Sequence, residues 1–182
     1  MFEVANWGEV ANWKRKRVLA VASGGGHFIQ LTRLLPAFAQ HDVRFVTTSG
    51  SHRANVGNGR LHVIADGNRD KPLTVVRMAW QLFWILLRER PDVVITTGAA
   101  CGYFALRLAK WQRRQTIWVD SIANADDLSM SGKKVRPYAD LWMTQWPAVA
   151  ERSGATYAGR VFPATPVSDQ PVAAASSRGN AI

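Results

Sequence analysis

One stretch near the start of this sequence limits the fold more than any other, because it predicts a strand, a tight turn and a helix in succession. An apolar run is followed by a serine, three glycines and a histidine, and then by apolar residues at helical spacing: Val18–Ala22, Ser23, Gly24, Gly25, Gly26, His27, Phe28, Leu31, Leu34 and Leu35. Glycines allow a sharp turn and a close approach to bare N–H groups, and the helix directs the positive end of its dipole into that turn. The unit predicts a site for phosphate or another anion, with His27 at its mouth able to bind, orient or shuttle a proton. The competing interpretation is a tight turn with an incidental histidine.

The nucleotide cofactors that such a unit commonly binds are disfavoured by the residues around it. Ile29 stands where the dinucleotide fingerprint requires its third glycine, and the second predicted strand carries no acid that could hold a ribose. No Gly-Lys-Ser/Thr sequence follows the glycines, so the Walker phosphate loop is excluded as well. Four scattered histidines and a single cysteine, Cys101, do not make a metal-ligand cluster. We therefore expect neither a cofactor nor a metal.

Strand patterns alternate with helical patterns along most of the chain. The predicted strands are Arg17–Ala22, Val43–Thr48, Leu61–Ile64, Val93–Thr97, Thr116–Asp120 and Leu141–Thr144. The predicted helices are Phe28–Gln40, Leu73–Glu89, Tyr103–Arg113 and Pro147–Arg152. This order predicts an α/β fold, a Rossmann-like parallel sheet with helices on both faces. Ligands of such sheets bind outside the carboxyl ends of the strands, so we expect the glycine turn, the Gly98–Gly102 turn and the loop after Asp120 to meet there.

Length and composition predict one folded domain between two dissimilar ends. The 182 residues suit a single domain at 17–162, preceded by a basic leader at 1–16. Residues 163–182 are rich in Pro, Ala and Ser, which predicts a disordered tail. The chain carries 23 basic against 13 acidic side chains, so its net charge is +10. Nucleic acid, anionic lipid and phosphorylated substrates are therefore all candidate partners.

The leader contains a short repeat that is typical of a membrane interface. It places Trp7 and Trp13 just before the basic run Lys14–Arg17. Indole rings favour the depth of the lipid headgroups, and basic side chains meet anionic lipid there. The alternative is an unstructured basic leader.

The predicted helix at Leu73–Leu87 is apolar on nearly all sides and includes Trp80, Phe83 and Trp84. Fifteen helical residues span about 22 Å, which is short of a hydrocarbon core of about 30 Å, so a membrane-spanning helix is not expected. Such a helix is either buried in the core or covered by lipid or a partner on its outer face.

Five motifs, taken in order, resemble one protein family. They are Ser23–His27, Pro91–Gly98, Asp120–Gly132, Tyr138–Pro147 and Gly159–Phe162. From about Arg17 to Phe162 the chain resembles the PssD-type proteins of bacterial capsule and exopolysaccharide biosynthesis. Their eukaryotic relative is the membrane-anchoring subunit of the transferase that adds the second N-acetylglucosamine to dolichol diphosphate.

The resemblance implies a glycosyltransferase subunit that corresponds to the N-terminal, acceptor-binding half of a GT-B enzyme. The donor half would be a separate polypeptide of PssE type that carries the UDP-sugar, and this chain would bind a polyprenyl-diphosphate-linked saccharide. It also implies a peripheral position on the cytoplasmic face of the inner membrane. In contrast to the family pattern, no membrane-spanning helix precedes the first predicted strand.

Sugar transfer with inversion requires a base that takes the proton of the acceptor hydroxyl. His27 and Asp120 are the candidates; Asp120 is carried over from a family position that is Glu in many relatives, and a structural role is its alternative. The residues expected to bind the acceptor or its phosphates are Ser23, Gly24, Gly25, Gly26, Gly98, Ser121, Asn124, Ser131 and Lys133. For Lys133 the alternative is a solvated basic loop. We expect bulky substitutions at Gly98 or Gly102 to impair activity more than stability.

A second hypothesis is a non-enzymatic protein that binds nucleic acid or another polyanion through its basic surface. No helix-turn-helix, RNP or zinc-finger signature occurs, and most tryptophans lie among apolar residues. These observations favour the transferase subunit, inactive or nearly so without its donor subunit, with no nucleic-acid partner.

Overall fold

One parallel sheet organises the residues that the structure, a computed structural model, describes, namely 15–57, 59–67 and 71–162. Its strands are β1 (Arg17–Ala22), β2 (Asp42–Thr47), β3 (Arg60–Val63), β4 (Val93–Thr96), β5 (Gln115–Val119), β6 (Leu141–Thr144) and β7 (Thr156–Tyr157). They lie in the order β3-β2-β1-β4-β5-β6-β7, and every neighbouring pair is parallel. Parallel neighbours need crossover connections, which here are mostly helical. The predicted Rossmann-like α/β fold is confirmed.

The helices of the described chain agree with the predicted order but not with every predicted length. They are α1 (Gly26–Arg33), α2 (Pro72–Glu89), α3 (Ala99–Trp111), α4 (Met130–Val135) and α5 (Pro147–Ser153). Short 3-10 segments lie at Leu35–Phe38, Gly50–Val56 and Arg136–Tyr138. The helix predicted to reach Gln40 ends at Arg33, because Pro36 has no N–H and its ring cannot fit an α-helix interior. The sequence pattern missed α4 and β7, which are too short to show a period.

Apolar side chains form a core on each face of the sheet. On one face α2, α3 and α4 pack against the strands, and Met78, Leu82 and Leu86 of α2 are fully buried. On the other face Phe28 and Leu31 of α1 are buried against alternate strand residues. Burial on both faces explains the nearly continuous apolar strands of the sequence. Because β1, β4 and β5 are neighbouring parallel strands, the loops that follow them meet at one edge of the sheet.

Gly102 marks the closest approach of α3 to the sheet. A Cβ atom at this position would overlap the side chain of Thr96 on β4, and Gly102 is buried. A larger residue would push α3 away from the sheet, which costs stability. For Gly102 we therefore now expect, contrary to the expectation from the sequence, that a bulky substitution impairs stability first. For Gly98 the expectation stays a prediction.

A buried carboxylate anchors the end of α2 to the amino ends of the strands. Glu89 is fully buried and pairs with Arg44, with Arg60 at 3.1 Å and with His62 at 3.0 Å. Burial, assisted by the neighbouring guanidinium groups, lowers the pKa of His62 below 6.5. Pairing of this kind is what permits a charge in the interior.

Candidate functional site

His27 lies at the carboxyl ends of β1 and β4, where the glycine turn meets the start of α3. That helix begins at Ala99, so the turn predicted at Gly98–Gly102 is wrong beyond Gly98, because residues 99–102 form the first turn of α3. Its Nδ1 is 2.9 Å from the carbonyl oxygen of Thr97, and the Thr97 hydroxyl donates to the His27 carbonyl at 2.7 Å. A carbonyl oxygen only accepts, so Nδ1 carries the hydrogen and the neutral ring has its lone pair on Nε2. A Cβ on Gly98 would lie 2.8 Å from the His27 ring, and the φ of Gly98 is +127°. Glycine at position 98 thus leaves room for an imidazole oriented to accept a proton.

Two backbone amides of the glycine turn donate hydrogen bonds to side chains of the protein. The amide of Gly24 donates to the Thr48 hydroxyl at 3.1 Å, and the amide of Gly25 donates to Nε2 of His52 at 3.1 Å. Gly25 has a φ of +74°, which favours glycine. The first bond of α1 joins the Ile29 amide to the Gly25 carbonyl. The amides before Ile29 in that first turn have no acceptor within the helix, so they are the ones available to an anion.

Asp120, the second candidate base, is fully buried at the end of β5. Its carboxylate accepts hydrogen bonds from the Ser129 amide at 2.8 Å and hydroxyl at 2.6 Å, from Trp118 Nε1 at 3.3 Å and from Asn124 Nδ2 at 3.4 Å. Ser129 in turn caps α4 by accepting from the Gly132 amide. A carboxylate held by four donors and closed to solvent orders the loop that follows it. This geometry favours positioning over proton transfer.

Two buried glutamines connect this loop to the rest of the edge. Gln30 of α1 donates to the Ser121 hydroxyl at 3.0 Å, and Gln145, after β6, donates to Gln30 at 2.9 Å and to the Asp120 carbonyl at 2.9 Å. The Gln145 side chain also accepts from the Val161 amide at 2.9 Å. Sequence reasoning assigned no role to either glutamine. The available signal was a polar residue on the apolar face of a helix and another directly after a buried strand.

The remaining predicted binding residues lie either in the loop after Asp120 or on α4. Asn124 bonds to Asp120 and therefore lies with the ordered loop, whereas Ser131 is half-buried in the first turn of α4. Lys133 is exposed, pairs with Asp127 and lines a separate basic cavity between α4 and α5. The structure thus does not bring Lys133 to the glycine turn.

A polar cleft opens at the carboxyl ends of β1, β2 and β4 beside the glycine turn. Its volume is about 460 Å³, and it is lined by Ser23, Gly24, Thr48, Ser49, Asp66, Gly67, Ala99, Ala100 and Cys101. Clefts of this size accommodate small ligands. Ser23 and Gly24, both predicted as binding residues, belong to it. No cluster of metal-ligating side chains occurs among the described residues.

Comparison with known families identifies the chain. A family model described as "Oligosaccharide biosynthesis protein Alg14 like" matches residues 60–161, which is more than half of the sequence. The chain belongs to the Alg14 family. One relative, the UDP-N-acetylglucosamine transferase subunit ALG14 of Eremothecium gossypii, is 28% identical and aligns over 75% of each chain. The protein of the same name from Homo sapiens is 23% identical over 79% of this chain and 82% of its own length.

Solved structures show the same fold at low sequence identity. MurG of Acinetobacter baumannii superposes with a TM-score of 0.66 at 14% identity, over 81% of this chain and 46% of its own. The UDP-N-acetylglucosamine 2-epimerase of Rickettsia bellii has a TM-score of 0.65 at 13% identity, over 82% and 46%. The chain therefore spans about half of each structure. The likeness establishes the Rossmann-like fold that this Alg14-family chain shares with them.

The Alg14-family chain also carries an aromatic patch on the outer face of α2, remote in sequence from the glycine turn. Trp80 and Trp84 are 60% and 53% exposed, and Phe83 lies between them and Trp111 of α3, which is 71% exposed. The same face continues through Leu73, Val76 and Leu87. One stripe of α2 is therefore buried in the core and the other is exposed, and the covering of the exposed stripe by lipid or a partner stays a prediction. Sequence reasoning missed Trp111.

The leader tryptophans, Trp7 and Trp13, lie outside the described residues. Among the helices that the structure does describe, none is both long and apolar enough to cross a membrane. The exposed aromatic surface is thus a feature of the folded domain itself.

Proposed function

We propose that this chain is the acceptor-binding subunit of a two-component glycosyltransferase that uses a UDP-sugar and a polyprenyl-diphosphate-linked saccharide. The observation that carries the proposal is His27, held with Nε2 free to accept a proton at the carboxyl edge of an Alg14-family domain. UDP-N-acetylglucosamine is the first donor to test, because the relatives are named as transferase subunits for that sugar.

The chemistry assigned to this chain is the activation and orientation of the acceptor. Nε2 of His27 takes the proton of the acceptor hydroxyl while its oxygen attacks the anomeric carbon and UDP leaves with the bonding electron pair. The first-turn amides of α1, from Gly26 onward, hold a phosphate of the lipid-linked acceptor. Ser121 and Asn124 belong to the loop that Asp120 orders, and this loop forms the wall of the site.

A separate donor-binding subunit of PssE type completes the active site in this proposal. The relatives that this chain spans over three quarters or more of their length are themselves named subunits. MurG of Acinetobacter baumannii contains this fold within a single chain of about twice the matched length. The complex would act in capsule or exopolysaccharide biosynthesis, a setting that rests on the motif resemblance.

The membrane position that we propose is peripheral, on the cytoplasmic face of the inner membrane. The aromatic patch of α2 supplies Trp80, Phe83 and Trp84 at headgroup depth. Arg77 and Arg88, both exposed on the same helix, would meet anionic lipid. In this position the subunit reaches a lipid-linked acceptor while it stays bound to the membrane surface.

Reconstitution tests the function. The purified chain alone should show no measurable transfer from UDP-N-acetylglucosamine or another UDP-sugar to a polyprenyl-diphosphate saccharide, and the donor subunit alone should show none. The two together should transfer, with product identified by mass spectrometry. Robust turnover by this chain alone, with no second protein in the sample, would overturn the two-component proposal.

The alternative of a non-enzymatic binder of nucleic acid is not favoured. The family is one of oligosaccharide biosynthesis, and the named relatives are transferase subunits. The net charge of +10 is accounted for equally well by an anionic membrane and a diphosphate acceptor.

A further inference from the structure

One carboxylate in the polar cleft has no bonded partner among the described residues and no part in the chemistry proposed above. Asp66 lies three residues after the end of β3, is exposed, and lines the cleft together with Ser23, Thr48 and Ser49. Its negative charge reaches the first turn of α3. Burial chiefly, with Asp66 contributing, raises the pKa of Cys101 to about 12. Asp66 thus belongs to the wall of the cleft.

Among the described residues, several acids are held by cations, whereas Asp66 is not. Asp42, Glu89, Asp127 and Asp140 are each paired with a lysine or an arginine. Within the described ranges no cationic nitrogen lies within ion-pair distance of Asp66, and no donor is bonded to its side chain. An unpaired carboxylate beside an anion site opposes anion binding by Coulomb repulsion. Its position is explained if a neutral, hydroxyl-bearing part of the ligand contacts it.

A carboxylate is well suited to such a contact, because its two oxygens accept hydrogen bonds from neighbouring hydroxyl groups. The cleft also offers the hydroxyls of Ser23 and Ser49. Its wall includes Ala99, the residue after the glycine on which His27 packs. The cleft wall therefore adjoins, along the chain, the glycine that lies against the proposed base.

We propose that Asp66 binds hydroxyl groups of the acceptor saccharide and thereby determines which saccharide the enzyme accepts. This inference rests on the proposed function and assigns the two ends of the acceptor to different groups. The phosphate lies at the first turn of α1, and the sugar hydroxyls lie at Asp66. The charges agree with this assignment: the negative phosphate of the acceptor would lie at the positive end of α1, and its neutral sugar would lie at the carboxylate of Asp66.

The kinetic test compares Asp66→Ala and Asp66→Asn in the reconstituted pair, with Glu151→Gln as the matched control. Glu151 is an exposed acid on α5, away from the cleft. Loss of hydrogen bonds to a charged group should raise the acceptor KM about 10- to 100-fold in Asp66→Ala, and less in Asp66→Asn. The KM for the UDP-sugar should not change. An unchanged acceptor KM, or an equal rise for donor and acceptor, would overturn the proposal.

A binding measurement separates this inference from the proposed function. Saturation-transfer NMR of the full chain with the neutral disaccharide cellobiose should show saccharide signals for the parent and Glu151→Gln, and none for Asp66→Ala. Thermal melting of the variants should match the parent, because Asp66 is exposed. Signals that persist in Asp66→Ala, or are absent from the parent, contradict the role of Asp66. Transfer that fails in the pair while saccharide binding depends on Asp66 counts against the proposed function alone.

Discussion

At the scale of single residues, the two candidate bases have opposite surroundings although both follow strands at the same edge. His27 has one nitrogen engaged by the Thr97 carbonyl and the other left as an acceptor. Asp120 is enclosed by donors, with Ser129 bonding to it twice. A group that must exchange a proton with substrate has to be reachable, so the structure favours His27 for the chemistry and Asp120 for holding the loop.

We expect His27→Ala to lower sugar transfer by the reconstituted pair about 10²- to 10⁴-fold, the usual loss when a general base is removed. The measurement is the initial rate at saturating donor and acceptor. His41→Ala is the matched control, since His41 precedes β2 at the opposite edge of the sheet. Melting temperatures should show that both variants fold. A rate for His27→Ala within about threefold of the parent would leave His27 a structural residue.

At the scale of secondary-structure elements, α2 has two apolar stripes with different tasks. Met78, Leu82 and Leu86 are buried against the sheet, whereas Trp80 and Trp84 are directed outward. The outward rings contact Phe83 and each other, and Phe83 contacts the ring of Trp111, so they form one continuous surface. Exposed aromatic clusters of this kind are typical of surfaces that contact lipid or protein.

We expect the purified chain to bind anionic liposomes and to be released as salt is raised, because interfacial aromatics act together with basic side chains. Replacing Trp80 and Trp84 together by serine should weaken binding about tenfold or more, without lowering the melting temperature. Liposome flotation over a salt series is the measurement.

The control for the liposome experiment is Tyr157→Ser, which removes an exposed aromatic ring from the edge strand β7. It should bind like the parent. Absence of binding at low salt, or equal binding by the double tryptophan variant, would remove α2 as the membrane contact.

At the scale of the whole molecule, the candidate active site and the exposed aromatic patch lie on different surfaces of the domain. The carboxyl edge holds His27, the ordered loop after Asp120 and the polar cleft, while the aromatic patch lies on the outer face of α2. In the proposed complex the donor subunit covers the carboxyl edge and leaves the patch free for the membrane. Ile29, a 44% exposed apolar residue one turn into α1, lies at the border of that edge.

Affinity purification of this chain from the organism that encodes it should therefore recover a second α/β chain of about one domain, on the order of 150–180 residues. Ile29→Asp should reduce the recovered partner, because it places a charge in an apolar contact. Leu73→Asp, on the outer face of α2, should recover as much partner as the parent. Equal recovery with Ile29→Asp would move the partner away from this edge, and the lack of any such chain would contradict the two-component proposal.

Much of this architecture was determined by the sequence alone. The alternation of apolar strands with helical patterns predicts a parallel α/β sheet, and the order Ser23–His27 predicts the glycine turn at a helix start. These features depend on local periodicity and on the backbone freedom of glycine, which residues close together in the chain specify. The helix predicted to reach Gln40 is too long at its C-terminal end, because Pro36 prevents α1 from continuing beyond Arg33.

Only the tertiary structure decided how distant parts of the chain use one another. Gln30 and Gln145 are 115 positions apart and bond directly, because the sheet order brings α1 and the end of β6 together. The enclosure of Asp120, the position of Asp66 in its cleft and the exposure of one stripe of α2 are likewise consequences of packing. A period of 3.6 residues in the sequence predicts that a helix has an apolar face. Which apolar side chains are then buried depends on neighbouring elements, and local patterns do not specify those.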